Sequence, residues 1–166
     1  MVYEGFWQFV SYFGDVQYWI GLTVASLIIY PLLSRKDKHK LSWIVLAMLP
    51  AVLISHQVVS VLKAFFEVAR PCLGLIDCPA SYSFPSGHAA VIFAFAIVTT
   101  LMAKNKIISA LVIVLAFLVS LSRVFLNYHT FPDIGFGAVV GLAIGFLFYL
   151  AYKPIHVFLE KKKIVP

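Results

Sequence analysis

Five stretches of this chain, Val16–Ser34, Leu41–Leu62, Ser86–Ala103, Ile107–Ser122 and Ile134–Tyr152, run for 16 to 22 residues without an Asp, Glu, Lys or Arg. A helix rises 1.5 Å per residue, so about 20 such residues cross the ~30 Å of bilayer hydrocarbon. With 62% hydrophobic and 12% charged residues among 166, a water-soluble fold has too little polar surface to cover the apolar remainder. Lipid must therefore be the solvent for much of it. The expected architecture is one all-α polytopic membrane bundle over residues 1–166, with spans at about 16–34, 41–69, 86–103, 107–126 and 134–152. The N-terminal stretch MVYEGFWQF lacks a basic region and a small-residue cleavage site, so no cleavable signal peptide is expected.

The charges fix the expected orientation. Arg35 to Lys40, Lys104 with Lys106, and Lys153 with Lys161, Lys162 and Lys163 fall on one face if the chain crosses five times. That face carries ten basic residues against two acidic ones, and the other carries three against five. The positive-inside rule makes the basic face cytoplasmic, with the C-terminus on it. The +6 net charge thus reads as topology, and nucleic-acid binding is not expected. Residues 2–14 are too short to span; Phe6, Trp7, Phe9, Val10 and Phe13 give them a broad apolar face. They read as an amphipathic helix in the outer interface. Trp19 and Trp43 read as interfacial aromatics. Gly137, Gly141 and Gly145 recur at helical spacing and would let the last span approach a neighbour closely.

Three basic residues, Lys63, Arg70 and Arg123, sit on the face that otherwise avoids them, which calls for a reason. Lys63 and Arg70 are seven apart, two helical turns, and so are expected on one helix face. Snorkelling or an ion pair with Glu67 is the bland alternative. Ser86-Gly87-His88 opens the third span, where unpaired backbone N–H groups suit an anion and Gly87 permits close approach; Ser86 could equally serve as an N-cap. His129 precedes Asp133 by four, a spacing that lets a carboxylate hold one ring nitrogen as N–H and leave the other nucleophilic. Cys72 and Cys78, the only cysteines, are either a disulfide closing a short extracytoplasmic loop or two unrelated small residues. His56, deep in the second span, reads as a core histidine.

Taken in order, Lys63-x6-Arg70-Pro71, Pro85-Ser86-Gly87-His88 and Ser122-Arg123-x5-His129-x3-Asp133 match the three signature elements of the type-2 phosphatidic acid phosphatase (lipid phosphate phosphatase) superfamily. The chain resembles that family from Lys63 to Asp133, and by architecture around it. Many members have six spans; here there are five and a short N-terminal segment. The resemblance implies His129 as the nucleophile forming a phosphohistidine, Asp133 orienting it, and His88 as acid and then base. Lys63, Arg70, Ser86, Gly87 and Arg123 would bind the phosphate. Three cations can balance a phosphate of about −1.5 to −2 charge, so neither a metal nor another cofactor is expected.

The resemblance further implies a membrane lipid phosphate as substrate: lipid A 1-phosphate, undecaprenyl diphosphate, phosphatidylglycerophosphate or phosphatidic acid. The expected location is the bacterial cytoplasmic (inner) membrane, with the N-terminus and the site on the periplasmic side. A lipid-to-lipid phosphotransferase using the same site is the nearest alternative. A non-enzymatic anion transporter or channel is the other, though it expects polar residues through the spans, and these are nearly all apolar.

Overall fold

The computed structural model describes residues 2–34, 42–74, 78–103 and 105–161. Residues 35–40, Lys104, Lys162 and Lys163, which carry much of the expected cytoplasmic charge, lie outside them. The described residues form six α-helices and no strand: α1 (Val2–Ser11), α2 (Val16–Ile29), α3 (Leu49–Phe66), α4 (Gly87–Ala103), α5 (Lys106–Phe125) and α6 (Phe131–Lys161). A π-helical turn, Ile44–Met48, leads into α3. It precedes Pro50, whose missing N–H and ring disfavour regular α-helical bonding one turn earlier.

Among the described residues, three segments can cross a membrane by length and composition: Ile44–Phe66, Lys106–Phe125 and Phe131–Ile155. Two further apolar helices, Val16–Leu32 and Gly87–Ala103, are shorter, at roughly 25 Å each. The expected count of five spans is therefore not reached on length alone. The shortness of α4 has a physical setting, because protein rather than lipid surrounds it. Ala89, Ala90, Val91, Ile92, Ala94, Ala96 and Val98 are all buried, and α4 packs against α3, α5 and, most extensively, α6.

Three glycines make that last contact. A Cβ on Gly137 would lie 2.4 Å from the Ser86 carbonyl oxygen, one on Gly141 2.2 Å from that of Ala90, and one on Gly145 2.9 Å from that of Ala94. Residues 86, 90 and 94 recur every four, as do 137, 141 and 145, so the two backbones touch along a common line. At the far end of the bundle Ser42 and Tyr152 share a buried hydrogen bond of 2.7 Å.

Several local expectations are corrected. The helix carrying Lys63 stops at Phe66: Glu67 is left-handed (φ 52°), and its N–H donates to the Lys63 carbonyl at 3.0 Å. Pro71 disfavours helical backbone in the residue before it, so Arg70 belongs to the loop and not to the helix face expected for it. Trp19 is buried rather than interfacial; its indole N–H donates to Phe13 O at 3.0 Å and its ring packs on Phe95. The last helix runs past Tyr152 to Lys161. Helix α1 docks on the end of α5, where Trp7 stacks on Phe125 at 4.5 Å between ring centroids. Cys72 and Cys78 are joined in a disulfide, with Cα atoms 5.5 Å apart.

Gly141→Val should lower the detergent-solubilised melting temperature sharply, because overpacking a backbone contact costs about 1–3 kcal/mol. Gly135→Ala, where an added Cβ meets nothing within 4 Å, should melt like the parent chain. Equal melting of the two variants in thermal-shift assays would contradict the α4–α6 contact.

Candidate active site

The α4–α6 contact places the first turns of both helices side by side. Ser86 N donates to the Asp133 carbonyl at 3.0 Å, tying the loop that begins α4 to the turn that begins α6. Asp133 is buried, and its Oδ2 accepts from the Ser83 hydroxyl and, at 2.8 Å, from Thr130 N–H. The same oxygen lies 3.4 Å from His129 Nδ1. Ser83 Oγ is also 3.4 Å from that nitrogen. A carboxylate fixed from two other directions is well suited to fixing an imidazole.

The other ring nitrogen, His129 Nε2, lies 3.1 Å from Arg70 NH1. A guanidinium has only donors, so Nε2 must present a lone pair to it, and the ring proton sits on Nδ1, facing Asp133. The tautomer thus follows from the partners. Burial, followed by Arg70, Lys63 and Arg123, holds the His129 pKa far below the ordinary 6.5. The ring is neutral at physiological pH.

The loops hold the cations in turn. Arg70 Nε donates to Ser81 O at 2.6 Å, NH1 to Tyr128 O at 2.9 Å and NH2 to Ser81 Oγ at 2.9 Å. Lys63 Nζ donates to the carbonyls of Tyr82 and, at 3.1 Å, Ser83. Arg123, buried at the end of α5, donates to Ser11 Oγ at 2.6 Å and lies 4.7 Å from the Tyr128 ring centroid. Its carbonyl accepts from Tyr128 and His129 N–H at 3.0 and 3.1 Å, which links the arginine to the histidine through the main chain.

His88, in the first turn of α4, interacts electrostatically with Arg123, His129, Arg70 and His56. It opens with Arg123 onto a cavity of about 280 Å³ whose other walls include Gln8, Ser11, Asp15 and Tyr128. Gly87 lines a second cavity of about 350 Å³ together with His56, Ser60 and Lys63. His56 is thus half-buried at a cavity wall and not in the closed core. Ser86 does not cap α4, because its buried hydroxyl has no hydrogen-bond partner; neither does buried Arg123 Nε. Buried polar atoms are normally paired, and these two are among four such atoms left without a partner in the described residues, the others being Thr100 Oγ1 and Ser120 Oγ.

All eight residues expected in the site on sequence grounds border this cluster. Three that position it were missed. Ser81 and Ser83 lie just ahead of Pro85-Ser86-Gly87-His88, and only their nearness to that motif could have drawn notice. Ser11 belongs to the segment read as interfacial, and nothing in its local pattern ties it to an arginine 112 positions later.

Comparison with known proteins shows the family and the fold. The chain is 33% identical over 146 residues to the undecaprenyl-diphosphatase of Sulfolobus acidocaldarius, covering 87% of this chain and 68% of that protein. It is 30% identical over 145 residues to the lipid A 4'-phosphatase of Porphyromonas gingivalis, covering 81% of this chain but only 61% of that one. In fold it is similar to the transmembrane PAP2-type phosphatidylglycerolphosphate phosphatase of Bacillus subtilis, with a TM-score of 0.73 at 24% identity over 92% of this chain and 77% of that structure. The PAP2 superfamily model matches residues 40–156, a segment that contains all three signature elements from Lys63 to Asp133, and the chain belongs to that superfamily.

Proposed function

We propose that this chain is an integral membrane phosphatase that hydrolyses the terminal phosphate of a lipid phosphomonoester or diphosphate through a phosphohistidine. The reading rests foremost on the His129 tautomer: Nδ1–H toward Asp133 and an Nε2 lone pair aimed at Arg70. A substrate phosphoryl group that enters between Nε2 and the guanidinium meets a nucleophile on one side and a cation on the other.

The steps follow from the positions. His129 Nε2 attacks phosphorus, the P–O bond to the lipid breaks, and the leaving oxygen takes a proton from His88. The ring becomes positive as the P–N bond forms, and Asp133 stabilises it through Nδ1–H. His88, now neutral, removes a proton from water, whose oxygen attacks phosphorus. The P–N bond then breaks, inorganic phosphate leaves, and both imidazoles return to their starting states. Lys63, Arg70 and Arg123 face the non-bridging oxygens, with the Ser86 hydroxyl and Gly87 N–H as further donors. Phosphoryl transfer depends chiefly on positioning and on charge stabilisation, and fixed cations supply both.

The named activities of the relatives, on undecaprenyl diphosphate, lipid A and phosphatidylglycerolphosphate, share a lipid tail and an interfacial phosphate. The same class is proposed here. All five apolar helices cross the bilayer in this reading, with the site on the periplasmic side of the cytoplasmic membrane and the C-terminus inside.

His129→Ala should lower phosphate release from detergent-dispersed lipid phosphates by at least ~10³-fold, as for removal of other nucleophiles, without loss of the folded protein. Rapid acid-free quenching with phosphate-labelled lipid should place label on the parent chain and none on the variant. Near-normal turnover by His129→Ala would contradict the nucleophile assignment.

Stability should also respond to acid with a definite sign. The folded state disfavours a proton on His129 that the unfolded chain accepts below 6.5. The contribution of the neutral ring is therefore complete above 6.5 and is lost as pH falls, on the order of 1 kcal/mol per pH unit. Thermal melting between pH 7.5 and 4.5 should fall more steeply for the parent chain than for His129→Gln. Parallel slopes would show that the ring is not held neutral.

A further inference from the structure

The N-terminal corner, where α1 turns into α2, forms one wall of the His88 cavity. Its placement there is tight. A Cβ on Gly14 would come within 3.0 Å of His88 Cβ and Cδ2 and 2.7 Å of Val119 Cγ1, so the main chain at this corner lies directly on the histidine ring. The buried hydrogen bond from Arg123 to Ser11 secures the same corner from the α1 side. Gln8, Ser11, Tyr12 and Asp15 then line the cavity together with His88, Arg123 and Tyr128.

The chemistry of that wall is selective. Asp15 carries a carboxylate, which interacts electrostatically with Arg123. Gln8 adds an amide that can both donate and accept. The cavity lies on the His88 side of the cluster, while His129 is held by Arg70, Ser83 and Asp133. If His88 protonates the leaving oxygen, this is the side on which the leaving group sits. A leaving group that is itself a phosphate would place negative charge against Asp15. A sugar or polyol would instead donate hydroxyl hydrogen bonds to the carboxylate and exchange them with Gln8.

We propose that the Gln8–Asp15 wall is a leaving-group subsite that selects lipid phosphomonoesters of hydroxylated, sugar- or polyol-like headgroups over lipid diphosphates. This selectivity rests on the phosphatase reading given above. Asp15 also caps α2, accepting from Gln17 N–H at 3.0 Å. Asn caps a helix as well as Asp does, so Asp15→Asn removes the charge while keeping the cap.

The test compares the purified full chain with Asp15→Asn and Gln8→Ala on two probes, lipid A 1-phosphate and undecaprenyl diphosphate, with kcat/KM measured for each. The parent chain should favour the sugar phosphate by about tenfold or more, the scale of one like-charge contact at a half-buried site. Asp15→Asn should raise kcat/KM for the diphosphate and shrink that ratio about tenfold, with its melting temperature unchanged. Gln8→Ala should lower only the sugar phosphate rate. A parent chain that favours the diphosphate, or a ratio unmoved by Asp15→Asn, would overturn the subsite while leaving the phosphatase reading intact. Failure of the parent chain to release phosphate from either probe would overturn both.

Discussion

Two backbones in contact hold this molecule's functional half together. Only hydrogen atoms on Gly137, Gly141 and Gly145 allow α6 to lie against the main chain of α4 at Ser86, Ala90 and Ala94. In lipid, where tails offer no hydrophobic penalty to drive helices together, close van der Waals packing of this kind is the main source of association. Its consequence is chemical, because it fixes the starts of both helices relative to each other. The loop of Pro85 to His88 and the turn of His129 to Asp133 become one site, joined by the Ser86–Asp133 main-chain bond.

Within that frame three cations are only partly compensated, by Asp133 at Lys63 and Arg70 and by Asp15 at Arg123. Asp133 is bonded into the cluster and is taken up by Ser83, Thr130 and the Nδ1 side of His129. Lys63, Arg70 and Arg123 are held mainly by neutral acceptors: the carbonyls of Ser81, Tyr82, Ser83 and Tyr128 and the hydroxyls of Ser81 and Ser11. Carbonyls orient a cation without cancelling it. Burial first, and after it the excess positive charge, lowers the His129 pKa, and that charge would also draw in an oxyanion. The field that helps burial keep the nucleophile neutral is thus the field that would hold a phosphate.

Much of this could be read in the residues beforehand, for reasons that can be named. Charge-free runs reveal helices in lipid, a Gly-x-x-x-Gly-x-x-x-Gly series reveals a close contact, and Lys63, Arg70, His88, Arg123, His129 and Asp133 carry spacing that few other constraints produce. What stayed hidden was set by tertiary geometry. The helix before Arg70 ends at Phe66, not nearer the proline, yet the loop returns the guanidinium to the site. Trp19 resembles any interfacial aromatic until the turn at Tyr12–Gly14 covers it. Ser11 becomes meaningful only once α1 folds onto α5, where it meets Arg123. Span counting is weakest where protein replaces lipid around a helix, as for α4.

The most direct measurement is a crystal structure with orthovanadate, which adopts the five-coordinate geometry of phosphorus during transfer. Vanadium bonded to His129 Nε2, with its equatorial oxygens facing Lys63, Arg70 and Arg123 and its far apical oxygen toward His88, is the predicted result. Vanadate bound elsewhere, or with His129 Nε2 still paired to Arg70, would contradict the account.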